Sequence, residues 1–333
     1  MPSHLPSPRG ERRGLHPRNR YRERYDFEQL VALLPALAPH VRRNRFGNPA
    51  IDFADPLAVK TLNQALLRQS YGLECWDLPP GALCPPIPGR VDYLHHLADR
   101  LAADNGGVIP RGKAVRGLDI GTGASCIYPL LGCCEYGWRF VGSDIEPASL
   151  EAARLIVAAN PSLRGRVECR LQRVSEDVFR GLIKPLDRFD FSLCNPPFHA
   201  SAEAAAAGSR RKVRNLGQRR APAGSPPVLN FGGQAHELWC EGGELGFVRR
   251  MITQSAEFGR QCLWFSTLVS KQDNLAPIDR ALQGIGAAET HTLTMAQGQK
   301  VTRLVCWSLQ DARERAEWRR RYGCPAGAAG SEP

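Results

Sequence analysis

The sequence predicts an α/β fold, with a mostly parallel seven-stranded sheet of the Rossmann-like type that ends in an antiparallel edge. Three observations lead to this fold class. Strand-like and helical segments alternate from about residue 113 onward. A glycine-rich turn follows the first strand of that region, and the region closes with two consecutive strands that no helix separates.

The region before residue 111 is predicted to be helical and basic. Residues 1–20 are rich in Pro, Arg and Gly, and we expect a disordered basic arm there. The Pro- and Gly-rich stretch 78–89 is typical of a loop or linker. Helical patterns occur at 26–37, 55–67 and 93–101. We therefore assign residues 21–110 to a helical N-terminal module.

The α/β region is assigned to residues 111–311, and residues 312–333 are expected to form a C-terminal tail. Its predicted strands lie at 114–120, 138–143, 167–171, 189–194, 262–269, 289–295 and 302–309. Its predicted helices lie at 125–131, 147–159, 244–258 and 275–282. Because helices connect the earlier strands, those strands should pair in parallel, whereas the last two should pair antiparallel.

Composition excludes several classes of protein. The chain has 333 residues, of which 43% are hydrophobic, and no apolar run approaches the ~20 residues that span a bilayer. The first residues lack the apolar core of a signal peptide, so a reduced cytoplasm is expected. Its 11 cysteines show no CxxC spacing. We therefore expect no membrane, no metal site and no disulfide framework.

The formal net charge is +11, and basic residues concentrate in two segments. One is the stretch between Glu203 and Glu237, which contains no acidic residue, and the other is the first 45 residues. Two separate basic clusters are typical of a protein that binds nucleic acid. The residues expected to contact phosphates are Arg18, Arg20, Arg210, Arg211, Lys212 and Arg214.

The glycine-rich turn follows the first predicted strand and opens a helix, where glycines let the backbone approach a ligand closely. It contains Asp119, Gly121, Gly123 and Ser125. The next strand ends in Asp144, 23 residues after Gly121, where a carboxylate can accept hydrogen bonds from two ribose hydroxyls. This spacing predicts a nucleoside-containing cofactor.

Asp119 distinguishes between two such cofactors. Dinucleotide-binding loops have a third glycine where this chain has Cys126, and their ligand carries a pyrophosphate. The Asp119 carboxylate directly before the loop disfavours a pyrophosphate, and it suits the ammonium and sulfonium groups of S-adenosylmethionine. We therefore expect S-adenosylmethionine.

A second motif, Asn195-Pro196-Pro197-Phe198, follows the strand at 189–194 directly. The Asn195 side-chain oxygen and the Pro196 carbonyl can each accept a proton of an aromatic amine, whose nitrogen is otherwise a poor nucleophile. The prolines fix the backbone that presents these acceptors, and Phe198 offers a flat face to a base. The motif indicates methylation of an exocyclic amine, and the structural alternative is a proline-rich turn with a buried Phe.

Long segments of the chain resemble the RlmF family of bacterial 23S ribosomal RNA adenine-N6 methyltransferases, which are related to a eukaryotic RNA adenine-N6 methyltransferase. The resembling segments are 16–21, 116–132, 195–198, 241–248 and 295–300. The resemblance implies a class I methyltransferase domain and an N-terminal module that helps to hold RNA. It implies a substrate in 23S ribosomal RNA or in a large-subunit assembly intermediate. We expect the protein to be a monomer.

The resemblance also implies roles for individual residues. The cofactor would lie among Arg90, Gly121, Ser125 and Asp144, and the target adenine would lie at Asn195 and Phe198. Arg90 would pair with the methionine carboxylate, a role that only the resemblance provides.

Other functions remain open at this point. Asn-Pro-Pro motifs also occur in methyltransferases of guanine N2, DNA adenine and protein glutamine. Guanine N2 in ribosomal RNA is the nearest enzymatic rival, since His199 follows the motif directly. A non-catalytic RNA-binding protein on the same scaffold is the alternative of another class, because fold alone does not fix function.

Overall fold

The computed structural model describes residues 14–199, 201, 235–297 and 300–323. Its N-terminal elements are α1 (Phe27–Leu33), β1 (Val41–Arg43), β2 (Pro49–Ile51), α2 (Pro56–Tyr71) and α3 (Ile87–Ala103). The side chains of Asp26 and Asp55 cap α1 and α2 by accepting backbone N–H bonds. Helix α1 ends at Leu33, earlier than predicted, because Leu34 precedes Pro35 and the chain continues as a 3-10 turn.

Two features of this region differ from the prediction. Helix α3 begins at Ile87, inside the stretch 78–89 that was expected to be a loop, because Pro88 lies in the first turn, where no backbone N–H is required. Strands β1 and β2 form an antiparallel hairpin that the sequence did not predict, since strands this short and arginine-rich lack an apolar alternation. The earlier start of α3 places Arg90 in a helical turn.

The predicted α/β class is confirmed by a seven-stranded sheet in the order β5-β4-β3-β6-β7-β9-β8. The strands are β3 (Arg116–Ile120), β4 (Arg139–Asp144), β5 (Val167–Leu171), β6 (Phe189–Cys194), β7 (Cys262–Val269), β8 (Glu289–Gln297) and β9 (Lys300–Ser308). Neighbouring strands from β5 to β7 pair in parallel, and β9 pairs antiparallel with both β7 and β8. Because β3 lies between β4 and β6, the chain changes direction there and leaves a crevice at the carboxyl ends of the strands.

The remaining helices connect and cover these strands. They are α4 (Ile127–Tyr136), α5 (Pro147–Ala159), α6 (Ala235–Leu238), α7 (Gly243–Ser255), α8 (Leu275–Gly284) and α9 (Ala312–Tyr322). Helix α4 starts after Cys126, a non-glycine residue with a φ of 48°, and it ends at Gly137 with a φ of 73°. Left-handed backbone at Cys126 thus forms the tight turn from β3 into α4, and left-handed backbone at Gly137 ends the helix.

The sheet lies between two hydrophobic clusters. One contains Leu118 and Phe265 of the strands with buried residues of α7 and α8. The other joins the N-terminal helices to the sheet, and it extends from Tyr21 through Tyr93 of α3 to Trp318 of α9. The N-terminal helices are therefore part of the same hydrophobic core as the α/β region.

Both ends of the described chain are more ordered than expected. Residues 14–20 were expected to belong to a disordered arm, but His16 and Asn19 are buried and bonded to Asp92 of α3. Residues 1–13 lie outside the described residues.

The segment expected to be a tail contains α9, which a capping box of Asp311 and Glu314 starts. A hydrophobic pattern does not predict this helix, because only Arg315 and Trp318 are buried in an otherwise polar sequence. Arg315 pairs with Asp104 and Glu289, and Trp318 donates a hydrogen bond to Asp190. Residues 324–333 lie outside the described part of the chain.

Candidate active site

A cavity of 480 Å³ opens at the carboxyl ends of β3, β4, β5 and β6. A second cavity of 50 Å³ adjoins it, and Arg90 and Asn195 line both. The larger cavity is also lined by Gly121, Gly123, Ser125, Asp144, Gln172, Pro197 and Glu237. The loop after β3 and the motif after β6, predicted separately from the sequence, therefore meet at one place.

The backbone of the glycine loop fixes the Asp144 carboxylate. Gly121 and Gly123 have φ values of 71° and 62°, which L side chains adopt at a cost. The Gly123 N–H donates to Asp144 Oδ2 at 2.9 Å, and the Glu146 N–H donates to Oδ1 at 2.9 Å. Asp144 thus lines the cavity in a defined orientation.

Asp119 lies directly behind this loop and is fully buried. Neither of its carboxylate oxygens has a hydrogen-bond partner among the described residues. Burial raises the pKa of Asp119 to about 7; the neighbouring Thr122 hydroxyl opposes the rise, the Asp144 charge adds to it and Arg90 opposes it. Burial of a charged carboxylate is destabilising, so a cation or donor that reached Asp119 would stabilise its charged form.

Arg90 contributes a positive charge to the same cavity from the first turn of α3. Its Nη1 donates to the Tyr128 hydroxyl at 2.7 Å, and its guanidinium lies 5.4 Å from the Tyr128 ring centroid. Its buried Nε has no partner among the described residues. Arg90 thus supplies a fixed cation that suits the carboxylate of an amino acid, whereas Asp119 is not among the residues that line this cavity.

The motif after β6 is held by a hydrogen-bond chain from α3. The Cys194 N–H donates to the Tyr93 hydroxyl at 3.3 Å, and that hydroxyl lies 2.9 Å from Ser266 Oγ. Ser266 Oγ in turn donates to the Ser192 carbonyl at 2.6 Å. Tyr93 therefore fixes the end of β6 immediately before the motif, a role that the sequence did not indicate.

Within the motif, each residue has a distinct environment. Asn195 lines both cavities, Pro197 lines the larger one, and Phe198 lines the smaller one. Pro196 is buried and lines neither. The smaller cavity is completed by apolar side chains, including Leu268 and Met295. Arg90, Asp92 and Thr302 also line it, so the recess beside Asn195 has a mixed polar and apolar lining.

Comparisons with known proteins agree with this geometry. A family model described as RNA methyltransferase matches residues 9–311. Ribosomal RNA large subunit methyltransferase F of Ectopseudomonas mendocina is 57% identical, with 92% of this chain and 91% of that protein covered. The Photobacterium profundum protein of the same name is 52% identical, with 94% and 96% covered.

The chain belongs to the ribosomal RNA large subunit methyltransferase F family.

Among solved structures, this chain is similar to domains of a human protein. The catalytic domain of human METTL16, in complex with a MAT2A 3'UTR hairpin, is 31% identical, with a TM-score of 0.73. The likeness covers 90% of this chain and 96% of that domain. The N-terminal domain of human METTL16 in complex with SAH has a TM-score of 0.69 at 28% identity, with 89% of this chain and 99% of that domain covered. The RlmF-family chain therefore has the class I methyltransferase fold.

The RlmF-family site also contains residues that sequence reasoning missed. Gln172 follows β5 directly, so the rule that ligands bind at strand ends could have found it. Glu237 of α6 lines the larger cavity, and its Oε2 accepts a bond from the Leu83 N–H at 3.1 Å. Glu237 and Tyr128 approach the cavity only through the tertiary path of the chain, and no local pattern marks them.

The predicted phosphate-contacting residues of this RlmF-family chain fall into two groups. Arg18 pairs with Asp99 at 2.7 Å and donates to the His95 carbonyl. Arg20 pairs with Glu135 at 3.1 Å and lies over the Tyr71 ring. Both arginines thus have intramolecular partners. The others, Arg210, Arg211, Lys212 and Arg214, lie outside the described residues.

Two further features of the RlmF-family chain concern membrane-spanning helices and metal-binding side chains. No helix in the described ranges is both long and apolar enough to cross a bilayer. Those same ranges contain no group of three or more side chains arranged to hold a metal ion.

Proposed function

We propose that this chain transfers a methyl group from S-adenosylmethionine to N6 of an adenine in 23S ribosomal RNA. The observation that carries the proposal is the position of Asn195, which lines both the larger cavity beside Arg90 and the smaller recess beside Phe198. One side chain thus stands between a place for a charged cofactor and a place for a flat base.

The residues around the larger cavity fit S-adenosylmethionine. The unpartnered Asp119 carboxylate suits the ammonium group, and Arg90 suits the carboxylate. Asp144 can accept from both ribose hydroxyls while Gly123 and Ser125 form the wall beside it. The cofactor supplies an electrophilic methyl group when it is bound.

The motif residues activate and hold the acceptor amine in this proposal. Asn195 Oδ1 and the Pro196 carbonyl each accept one amino proton, which directs the nitrogen lone pair away from the ring. Phe198 stacks on the base, worth about 1–3 kcal/mol. No strong base is needed, since the amine loses its proton after it has gained the methyl group, and rate depends mainly on alignment.

The target base must leave its stack to reach the recess, which is easiest in a loop or bulge. In this proposal residues 21–110 help to hold the RNA and residues 111–311 carry the transfer. The protein acts as a monomer in the cytoplasm on 23S ribosomal RNA, either free or in a large-subunit assembly intermediate.

Tritiated-methyl transfer to ribosomal RNA, followed by nucleoside analysis, tests the proposal. We expect labelled N6-methyladenosine from the parent protein and no label from Asn195→Ala, whose cofactor affinity should remain near that of the parent. Phe198→Ala should lose activity by roughly 5- to 150-fold, the equivalent of its stacking energy.

The same digest decides between the rival functions. Labelled N2-methylguanosine in the digest would show that the target is guanine and not adenine. Absence of any labelled nucleoside, with intact binding of both cofactor and RNA, would contradict an RNA methyltransferase and favour a non-catalytic RNA-binding protein.

A further inference from the structure

The β1–β2 hairpin presents a compact group of basic and aromatic side chains. The segment 41–50 contains Arg42, Arg43, Arg45 and Phe46, and it has no acidic residue. All residues from 42 to 47 are exposed, and Phe46 keeps 71% of its surface accessible. A single exposed Phe is ordinary on a protein surface. An exposed Phe among three exposed arginines has the composition of a surface that binds single-stranded RNA.

The tip of this hairpin is preorganised. The Asn44 side-chain oxygen accepts bonds from the Phe46 and Asn48 N–H groups at 2.9 and 3.1 Å. The Asn44 N–H donates to the Asn48 carbonyl at 2.9 Å, and Arg43 Nη1 donates to the Gly47 carbonyl at 2.7 Å. Phe46 is thus held out in solvent by a bonded turn, so little conformational entropy opposes its contact with a partner.

The base of the hairpin is anchored in the hydrophobic core. Val41 pairs with Ile51 across the two strands, and Ile51 is 6% exposed within the large cluster. This anchoring fixes the tip relative to α2, whose N-cap Asp55 follows shortly after. The exposed Phe therefore projects from a rigid base, and it is not needed to complete the core.

The N-terminal arginines form two groups, those that pair with carboxylates of the same molecule and those of the hairpin segment. Arg18 and Arg20 pair with Asp99 and Glu135 inside the molecule. The hairpin arginines lie on a segment without carboxylates, and Arg45 stacks on the Phe46 ring with its guanidinium 4.7 Å from the centroid. An Arg–aromatic stack can widen into an Arg–base–Phe stack, because guanidinium and ring both have flat faces.

We infer that this hairpin binds an unpaired stretch of the RNA substrate, with Phe46 stacked on a base and Arg42, Arg43 and Arg45 on the flanking phosphates. The inference rests on the proposed function, since it names how the substrate RNA is held. The hairpin recognises unpaired RNA because a base can stack on Phe46 only when it has left its neighbours. It thus selects for single-stranded regions around the target without reading their sequence.

Binding of a short fluorescein-labelled single-stranded RNA to the full chain, measured by anisotropy in a salt titration, tests this inference. Phe46→Ala should weaken binding by roughly 5- to 150-fold. Phe46→Tyr should retain affinity because it keeps the ring, and Phe46→Leu should lose it because only apolar bulk remains. Arg42→Ala with Arg45→Ala should lower the log–log salt slope by about 1.4, or about 0.7 for each lost phosphate contact.

Leu186→Ala is the matched control, because Leu186 is an apolar side chain with 93% exposure outside the hairpin. It should bind the RNA like the parent. Cofactor affinity, measured by calorimetry, should be unchanged in every hairpin variant. The inference is overturned if Phe46→Ala binds single-stranded RNA as tightly as the parent does. It is also overturned if Phe46→Ala weakens the binding of duplex RNA of the same sequence as much as it weakens the binding of the single strand.

A cross-linking experiment on the unaltered protein tests the same inference without a substitution, so it can be used even if a hairpin variant does not fold. RNA containing 4-thiouridine should cross-link to the peptide that includes Phe46, identified by mass spectrometry. A cross-link map without residues 41–51 would contradict the inference. These binding experiments need no methyl transfer, so RNA that binds the hairpin yet gains no methyl group would overturn the proposed function alone.

Discussion

Asp119 is held in a state that folding alone disfavours, because its carboxylate is buried without a partner among the described residues. Burial raises the pKa of Asp119 to about 7, from an ordinary value of 3.8. Between about pH 4 and pH 7 the folded protein keeps a proton that the unfolded chain has lost. The free energy of unfolding of the ligand-free protein therefore falls as pH rises across this window and levels off above it.

The substitution Asp119→Asn tests separately how the buried charge of Asp119 affects stability and how it affects cofactor binding. The variant should be more stable than the parent at about pH 8 and nearly equal to it at about pH 4, measured by denaturant unfolding without ligand. It should bind S-adenosylmethionine about 10- to 150-fold more weakly, because a charged hydrogen bond is lost. The parent's affinity should increase as pH rises through 7, and the variant's should not.

Asp279→Asn, on the exposed surface of α8, is the control and should change neither quantity. An Asp119→Asn variant that bound the cofactor with the parent's affinity and pH profile would remove Asp119 from the site.

Residues at strand ends were the predictable part of the site. Asp144 and Asn195 stand at the ends of β4 and β6, where a parallel sheet brings ligand-binding residues together. Glu237 reaches the cavity from a helix that follows β6, and Tyr93 holds the end of β6 from a helix that precedes the sheet. Their positions depend on packing between distant segments, so neither periodicity nor spacing could reveal them.

At the scale of elements, α3 connects the N-terminal segment to the cavity. Asn19 Nδ2 donates to the Pro88 carbonyl at 2.8 Å and to Asp92 Oδ1 at 2.5 Å. The His16 N–H donates to the same Asp92 oxygen at 3.0 Å. These bonds hold the first turn of α3 on both sides of Arg90, and no side chain caps that helix.

Asn19→Ala should therefore weaken cofactor binding although Asn19 is not among the residues that line the cavity. We expect a higher KM for S-adenosylmethionine with kcat less affected, and a loss of about 1–3 kcal/mol in the free energy of unfolding. Arg18→Ala tests the same segment at an exposed ion pair and should cost at most about 1 kcal/mol. Equal effects of the two substitutions on KM would contradict the role of the Asn19 bonds.

Elements with strong apolar periodicity were predicted closely, and polar elements were not. The predicted boundaries 147–159, 167–171 and 189–194 agree with α5, β5 and β6. Helix α9 escaped prediction because it buries an arginine and a tryptophan along an otherwise charged surface. In such an element stability comes from specific ion pairs, which a hydrophobic pattern does not display.

At the scale of the whole molecule, α9 closes the core beyond the range that the family model matches. Arg315 is 4% exposed, pairs with Asp104 and Glu289, and lies 5.1 Å from the Trp264 ring centroid. Arg315→Ala should lower the free energy of unfolding by about 1–3 kcal/mol, because Asp104 and Glu289 each lose a charged hydrogen bond while both keep Arg100 as a partner. Arg313→Ala, exposed on the same helix, should change it by less than about 0.5 kcal/mol.

The basic segment 208–220, which lies wholly outside the described residues, is expected to attract the RNA to the protein by its charge. Replacement of Arg210, Arg211, Lys212 and Arg214 by alanine should weaken RNA binding. The log–log salt slope should fall by roughly 0.7–0.9 for each lost phosphate contact. Cofactor affinity, measured by calorimetry, should stay unchanged. RNA binding and methylation equal to the parent across a salt titration would show that these charges only keep the segment soluble.

The hydrophobic cluster that joins Tyr21 to Trp318 also sets the order in which the protein can be made. Synthesis on a ribosome proceeds from the N-terminus, so α1, α2 and α3 emerge long before the strands and the last helix that complete their core. Arg100 of α3, for example, must wait for Glu289 of β8. The early helices can pack on one another and on α4 first, but the core that joins Tyr21 to Trp318 is completed only after the last strands and α9 have been synthesised.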